Sequence, residues 1–189
     1  SSAASDVYKR QVLACSKMVH DELVHDMKLS NVKVLYNTVD MARYQVTADD
    51  RRVARRALHL TERDFVVIGN GQVQPRKRLD TFISIARAMP DVTFYWIGGI
   101  PFKHLGAKYE SMQKLINSVP PNLTVTGVIP LEDVRQYYMA ADVFVLPATQ
   151  ENHPVCVLEA AGAGLPIVLR DIPQYDDTFR GSAVMAGTD

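Results

Sequence analysis

The chain has 189 residues, of which 47% are hydrophobic and 22% charged, a composition typical of a globular protein with enough material for one domain. Its 21 basic and 21 acidic residues balance, so no overall field favours nucleic acid or an anionic membrane, and a bound anion must be held by a local arrangement. No apolar stretch reaches the ~20 residues of a membrane span, and no signal-peptide pattern opens the chain. The two cysteines are far apart in the sequence. We therefore expect a cytoplasmic protein.

The first 40 residues are predicted to lie outside the main domain. Residues 1–11 resemble the in-frame translation of a sequencing adapter and are set aside from the fold argument, the alternative being a natural polar tail. Residues 12–40 are interpreted as the end of an N-terminal domain and a polar linker, and residues 41–189 as a truncated C-terminal domain.

Short strands and helices are predicted to alternate along the rest of the chain. Strands are expected in VLACS, Val32–Tyr36, DFVVIGN, VTFYWIG, LTVTG, DVFVLP, PIVLR and GSAVMAGTD. Helices are expected in KMVHDELVHDM, Asp49–Leu58, RLDTFISIARAM, Tyr109–Asn117, LEDVRQYYMA and Pro154–Ala163, the second of these with its arginines on the surface. This alternation predicts an α/β fold with a doubly wound, Rossmann-like parallel sheet.

In such a sheet, ligands bind at the carboxyl ends of the strands, and the loop GNGQVQPRKRLD follows the strand DFVVI. Gly69 and Gly71 would let the backbone approach a ligand closely, and Arg76, Lys77 and Arg78 gather positive charge before a helix. We therefore predict a phosphate site here. The alternative is a glycine turn followed by a solvated basic helix start, although cations at a helix N-terminus oppose the helix dipole.

A second glycine loop, WIGGIPFKHLG, follows the next strand. Gly98, Gly99 and Gly106, with Lys103 and His104, would suit an anion or a sugar near the backbone. Paired glycines after a strand are equally common as plain turn chemistry, so the sequence leaves both interpretations open.

The third loop leads from DVFVLP into the helix that begins near Pro154. Proline favours the first helical position, which would leave the amides of Val155 and Cys156 free at the helix N-terminus as an anion site without formal charge. Glu159 lies in this apolar helix, where a carboxylate needs a cation, several hydrogen-bond donors or ligand hydroxyls. The alternative is an internal salt bridge. Glu151 precedes the helix, with seven residues between the two glutamates.

The segment ENHPVCVLEAAGAGLPIV resembles the two-glutamate motif of retaining glycosyltransferase family 4. NTVD is similar to the linker of that family, GQVQPRK to its phosphate loop, and TGVIPLEDVRQYYMAADVFVLP to the segment before the glutamates. The resemblance spans Leu35–Asp171 and implies one half of a two-domain GT-B architecture, with a glycolipid-synthesising member as the best match.

The resemblance also implies a role for individual residues. Lys77 would pair with the donor diphosphate, Glu159 would accept hydrogen bonds from the ribose, and Glu151 would stabilise the positive charge that develops on the transferred sugar. The backbone at Val128–Pro130 would contact the base. The implied donor-binding residues are Gly71, Gln72, Arg76, Lys77, Val128, Ile129, Asn152, His153, Pro154, Val155, Cys156 and Glu159.

Three departures from the family pattern limit how far the residue roles of the family can be assigned to this chain. Gln72 stands where the family has an arginine, so Arg76 would supply the missing charge or diphosphate binding would be weaker. Residues 152–154 replace small and aromatic residues beside the sugar, which leaves the identity of the sugar open. Thr38 replaces a linker glycine.

The implied reaction transfers a sugar from a nucleoside diphosphate to an acceptor hydroxyl with retention and without a metal or other cofactor. The acceptor, a lipid or a glycan, would bind to the missing domain, which could also contact a membrane. No nucleic-acid partner is expected. The alternatives are a sugar-nucleotide epimerase of similar fold and an inactive nucleotide-sugar-binding subunit.

Overall fold

The computed structural model describes residues 11–100 and 106–187. The strands are β1 (Val12–Ala14), β2 (Val32–Val34), β3 (Val66–Asn70), β4 (Thr93–Ile97), β5 (Leu123–Val125), β6 (Val143–Leu146), β7 (Ile167–Arg170) and β8 (Val184–Ala186). The helices are α1 (Lys17–His25), α2 (Ala48–Ala57), α3 (Leu79–Ala88), α4 (Gly106–Ile116), α5 (Leu131–Ala140) and α6 (Val155–Gly162). Every predicted strand and helix is present, with bounds that differ by a few residues.

The main sheet has six parallel strands in the order β5-β4-β3-β6-β7-β8. The chain builds outward from β3 to β5 and then returns to place β6 on the other side of β3. This reversal is the switch point at which parallel α/β sheets bind ligands, beside the carboxyl ends of the two central strands. The loops that follow β3 and β6 are therefore brought together, and they are two of the three loops singled out in the sequence.

A hydrophobic core lies on each face of this sheet, and β3 at its centre is buried along most of its length. One core is centred on Phe82, Phe94 and Trp96, and the other on Tyr138 and Phe144, all of them almost fully buried. Aromatic side chains of this size dominate the energetics of a core, so the two faces together hold the ends of β3 and β6 in place.

The first two strands form a separate parallel pair, β1 with β2, which shares no strand pairing with the six-stranded sheet. Helix α1 lies between them in sequence and is capped at its N-terminus by Ser16, whose hydroxyl accepts from the amide of Val19. The segment that follows β2 runs to Thr47, which begins α2 with a capping box formed with Asp50. We call residues 35–47 the linker segment.

One arginine of α2 differs from the sequence-based expectation of a surface helix. The Arg55 side chain is buried and donates to the carbonyls of Thr61, Asp64 and Ala140, with the carboxylate of Asp142 at 3.5 Å. A guanidinium carries five N–H donors, so it can be buried when carbonyls accept most of them. Arg55 therefore joins α2 to the end of α5, which local helix periodicity could not indicate.

Candidate functional site

The phosphate loop predicted after β3 meets the loop after β6 at the switch point. Lys77 is buried, and its Nζ lies 2.5 Å from Oε1 of the equally buried Glu151. The amide of Thr149 donates to the carbonyl of Arg76 at 2.8 Å, which fixes the two loops to one another. Lysine and glutamate are seldom buried unless they are paired, so this ion pair accounts for the burial of both side chains.

Arg76 brings a second positive charge to the same carboxylate. Its Nη1 lies 3.3 Å from Glu151 Oε1 and donates to the carbonyl of Gln150 at 3.0 Å. Its Nε donates to Gln74, whose amide donates in turn to Gln72. The half-exposed guanidinium is therefore directed at the site, whereas Arg78 turns away and pairs with Asp80 through two nitrogens.

Glycines allow the loops at this edge of the sheet to approach one another. Gly98 has φ +133°, and a Cβ there would overlap the carbonyl oxygen of Gly71. A Cβ at Gly71 would itself lie 3.3 Å from the Lys77 side chain. The second glycine loop thus has a packing role at Gly98, while Lys103 and His104, proposed there as ligands, lie outside the described residues.

The predicted base-binding segment lies at the end of β5. Gly98 forms an isolated bridge with Gly127, and a Cβ at Gly99 would lie 2.9 Å from the amide nitrogen of Val128. The Val128 side chain is 80% exposed and Ile129 is half-buried. A cleft of about 340 Å³ opens here between Gly99, Val128 and one side of α4, which runs past it from Tyr109 to Ile116. An exposed apolar side chain beside a cleft offers a flat ring a contact surface.

Helix α6 begins one residue later than predicted, because Pro154 is its N-cap and Val155 its first residue. No side chain caps this end. The first-turn amides of Val155 and Cys156 have no carbonyl partner within the helix, which makes this end electropositive. Burial raises the pKa of the Cys156 thiol to about 12, so the thiol adds no negative charge.

Glu159 is buried one turn further along α6. Its Oε1 accepts from the hydroxyl of Tyr44 at 2.7 Å, and its Oε2 from the hydroxyl of Tyr138 at 2.9 Å. Among the residues that the structure describes, none forms an ion pair with Glu159, and both of its oxygens accept from tyrosine hydroxyls rather than from a cation. The carboxylate is instead held by a set of donors, as the sequence argument also allowed.

The loop between Glu151 and α6 is held by aromatic contacts. The ring of His153 stacks on Phe179 at 5.2 Å and lies 5.1 Å from the ring of Tyr36. Asn37 Nδ2 donates to the carbonyl of His153 at 2.6 Å. Burial lowers the pKa of the imidazole, so the ring is neutral at pH 7. His153 is thus packed between the linker segment and the chain after β7, while Asn152 beside it is exposed.

A second cleft, also about 340 Å³, opens next to Glu151. It is lined by Cys15, Asn37, Arg76, Gln150, Glu151, Asn152 and His153. Sequence reasoning identified four of these residues, but it did not find the contributions of Tyr36, Asn37, Tyr44 and Tyr138 to the site.

Within the described part of the chain, no group of three or more histidine, cysteine, aspartate or glutamate side chains is arranged to hold a metal ion. Nor does any helix there combine the length and apolar character needed to cross a membrane.

The fold and this site define one half of a GT-B glycosyltransferase. Residues 62–186 match the family model described as glycosyl transferases group 1, and the chain belongs to that family. The fold is the same as that of HepE from Anabaena in complex with UDP-glucose, with a TM-score of 0.75 at 20% identity over 94% of this chain and 50% of that one. Sucrose-phosphate synthase from Thermosynechococcus elongatus gives a TM-score of 0.78 at 21% identity, over 94% and 45% of the two chains.

Two of the similar curated proteins are named as diacylglycerol glycolipid enzymes. The alpha-galactosylglucosyldiacylglycerol synthase of Streptococcus pneumoniae is 34% identical over 188 residues, which cover 93% of this chain and 50% of that protein. The processive diacylglycerol alpha-glucosyltransferase of Acholeplasma laidlawii is 33% identical over 88% of this chain and 49% of that protein. The chain thus spans about half the length of these relatives, as a C-terminal half would.

Proposed function

We propose that this chain is the donor-binding half of a retaining glycosyltransferase, which transfers a sugar from a nucleoside diphosphate to an acceptor hydroxyl. The observation that carries the proposal is the buried Lys77–Glu151 pair at the switch point, beside the N-terminus of α6. A lysine ammonium, an arginine guanidinium and free helix amides at one place form a site for a diphosphate. The UDP and UDP-glucose complexes of HepE support a donor of this class.

Lys77 and Arg76 are proposed to bind the diphosphate. The ammonium of Lys77 has three donors and can keep Glu151 as a partner while it binds a phosphate oxygen. Arg76, directed at the same carboxylate, supplies the charge that Gln72 lacks. These cations, with the amides of Val155 and Cys156, would stabilise the charge that the diphosphate gains as it leaves, without a metal or other cofactor.

Glu151 is proposed to face the transferred sugar. Positive charge develops on the anomeric carbon as the glycosidic bond breaks, and a buried carboxylate at that point stabilises the transition state more than the ground state. The amides from Asn152 to Cys156 would hold the sugar and the phosphates. Glu159 would accept from the ribose hydroxyls, with the base near Val128 and Ile129 and the turn at Gly71 against the phosphates.

The acceptor is proposed to be a lipid hydroxyl, since the two relatives above are named for diacylglycerol glycolipids. The acceptor site, and any peripheral contact with a membrane, would belong to the other half of the full-length protein, acting in the cytoplasm. No nucleic acid takes part. The names of these relatives favour transfer over epimerisation.

Calorimetric titration of the chain with UDP, GDP and ADP, with their glucose derivatives and with the free nucleosides, tests this function. We expect one diphosphate series to bind and its nucleoside to bind far more weakly. We also expect no sugar transfer by this half alone. Failure of every diphosphate to bind, or transfer by the chain alone, would contradict the proposal.

A further inference from the structure

The linker segment reaches into the donor site through one side chain. Tyr44 follows the short turn Met41–Arg43, and its hydroxyl donates to Glu159 Oε1 at 2.7 Å, although 115 residues separate the two in sequence. Gly162 makes the approach possible, because a Cβ there would lie only 2.9 Å from the Cβ of Tyr44. The contact therefore depends on close packing of the linker against α6.

The position of Tyr44 is fixed on both sides by helix α5. Arg135 of α5 donates from Nε to the carbonyl of Arg43 and from Nη2 to that of Gln45 at 3.2 Å. The ring of Tyr44 meets that of Tyr138 edge to face, with centroids 5.9 Å apart. Tyr44 is thus held in a defined orientation although the linker segment has no regular secondary structure apart from the turn.

The two carboxylate oxygens of Glu159 are oriented by different parts of the molecule. Tyr138, on Oε2, belongs to the core of the domain, where Asn70 Nδ2 donates to its hydroxyl and its ring stacks on Phe144. Tyr44, on Oε1, belongs to the linker. A carboxylate offers about four acceptor positions, so two tyrosine bonds leave capacity for two ligand hydroxyls.

Both tyrosines remain hydrogen-bond donors near neutral pH. Burial, and then the hydrogen bond to Glu159, raises the pKa of Tyr44 to about 12. Burial also raises the pKa of Tyr138 well above its ordinary value. Their hydroxyls therefore point protons at Glu159 and direct its remaining lone pairs.

We infer that Tyr44 is a positioning residue for ribose recognition: its hydroxyl sets the orientation in which Glu159 accepts hydrogen bonds from the ribose of the donor. The inference rests on the proposed function, because it takes Glu159 as the ribose acceptor. It adds that the linker is part of the donor site, so donor affinity depends on where the linker lies.

The experiment measures ribose discrimination rather than affinity alone. The chain is titrated with whichever of UDP, GDP and ADP binds best and with its 2′-deoxy counterpart. The ratio recorded for each variant is the Kd of the 2′-deoxy nucleotide divided by the Kd of the ribonucleotide. Tyr44→Phe keeps the ring and removes only the hydroxyl. Tyr137→Phe is the matched control. Tyr137 lies on the same helix as Tyr138, but its ring packs against Tyr95 of β4, and it makes none of the contacts to Glu159. Glu159→Gln is the reference for loss of the acceptor.

We expect Tyr44→Phe to lower the ratio about three- to tenfold, as loss of one hydrogen bond allows, and Tyr137→Phe to leave it unchanged. Thermal unfolding of each variant establishes that it is folded. If Glu159→Gln lowers the ratio and Tyr44→Phe does not, the inference is wrong and the proposed ribose site stands. Equal weakening of both nucleotides by Tyr44→Phe would also overturn it, because that result indicates a structural role. If Glu159→Gln leaves the ratio unchanged, or no diphosphate binds the parent chain, the proposed function itself fails.

Discussion

Replacing Lys77 by alanine tests the central ion pair of the site. The substitution removes the ammonium that lies 2.5 Å from Glu151, while the Arg76 guanidinium remains 3.3 Å from the same carboxylate. Loss of a charge-assisted bond to phosphate of about 1.5–3 kcal/mol would weaken diphosphate binding roughly 10- to 150-fold. The free nucleoside carries no phosphate for Lys77 to bind, so its affinity should change little.

The same substitution also affects stability, and the two effects must be separated. Leaving a buried carboxylate without a partner costs about 3–5 kcal/mol, but Arg76 still lies beside Glu151, so we expect a loss of about 1–3 kcal/mol in the free energy of unfolding. The double variant Lys77→Ala, Glu151→Gln removes the buried charge and should recover part of that loss. Denaturant unfolding measures both variants.

The assay is calorimetric titration with a nucleoside diphosphate and with its nucleoside. Arg78→Ala is the matched control, since Arg78 is a neighbouring cation whose partner is Asp80 rather than Glu151. Arg76→Ala should weaken diphosphate binding less than Lys77→Ala, because its guanidinium is half-exposed to solvent. Equal losses for nucleoside and diphosphate in Lys77→Ala would place Lys77 away from the phosphates and refute the reasoning.

Two further predictions concern the loop packing and the two glutamates. Gly98→Ala should lower the free energy of unfolding by about 2–4 kcal/mol, because the new Cβ would overlap the Gly71 carbonyl at a positive φ, whereas Gly181→Ala, with no atom near its Cβ position, should not. In a full-length enzyme that contains this chain, Glu151→Gln should mainly lower kcat, and Glu159→Gln should mainly raise KM for the donor. Direct nucleotide binding checks the second, and unchanged affinity in Glu159→Gln would rule out the ribose role.

The sequence predicted the sheet and the loops of the site because both are encoded locally. Alternating apolar strands and amphipathic helices define the order of elements, and the rule for parallel sheets then places the loops after β3 and β6 at the switch point. The direct contact between Lys77 and Glu151 was not predicted, because two oppositely charged loop residues carry no signal of how near they lie. The predicted start of α6 was wrong by one residue, since Pro154 is the N-cap rather than the first helical residue. This difference matters only for which backbone amides are free at the helix N-terminus.

The tyrosines of the site were missed for a different physical reason. Tyr44 and Tyr138 appear in the sequence as ordinary apolar positions of a linker and of an amphipathic helix, and only the fold brings both hydroxyls to Glu159. A carboxylate in an apolar helix did indicate that compensating donors must exist. The sequence indicated that such donors are required. It could not identify them as Tyr138, which is 21 positions from Glu159, and Tyr44, which is 115 positions from it.

The ion pair and the tyrosine pair place the two glutamates in different electrostatic environments. Glu151 lies against two cations, so its charge is balanced within the protein despite burial. Glu159 has only neutral hydroxyl partners among the described residues, which satisfy its lone pairs without cancelling its charge. A diphosphate that shares Lys77 and Arg76 with Glu151 would offset part of their positive charge and leave that carboxylate freer to stabilise a cationic sugar. None of the described residues gives Glu159 a cation to share in that way, which is why substituting it should affect binding and substituting Glu151 should affect turnover.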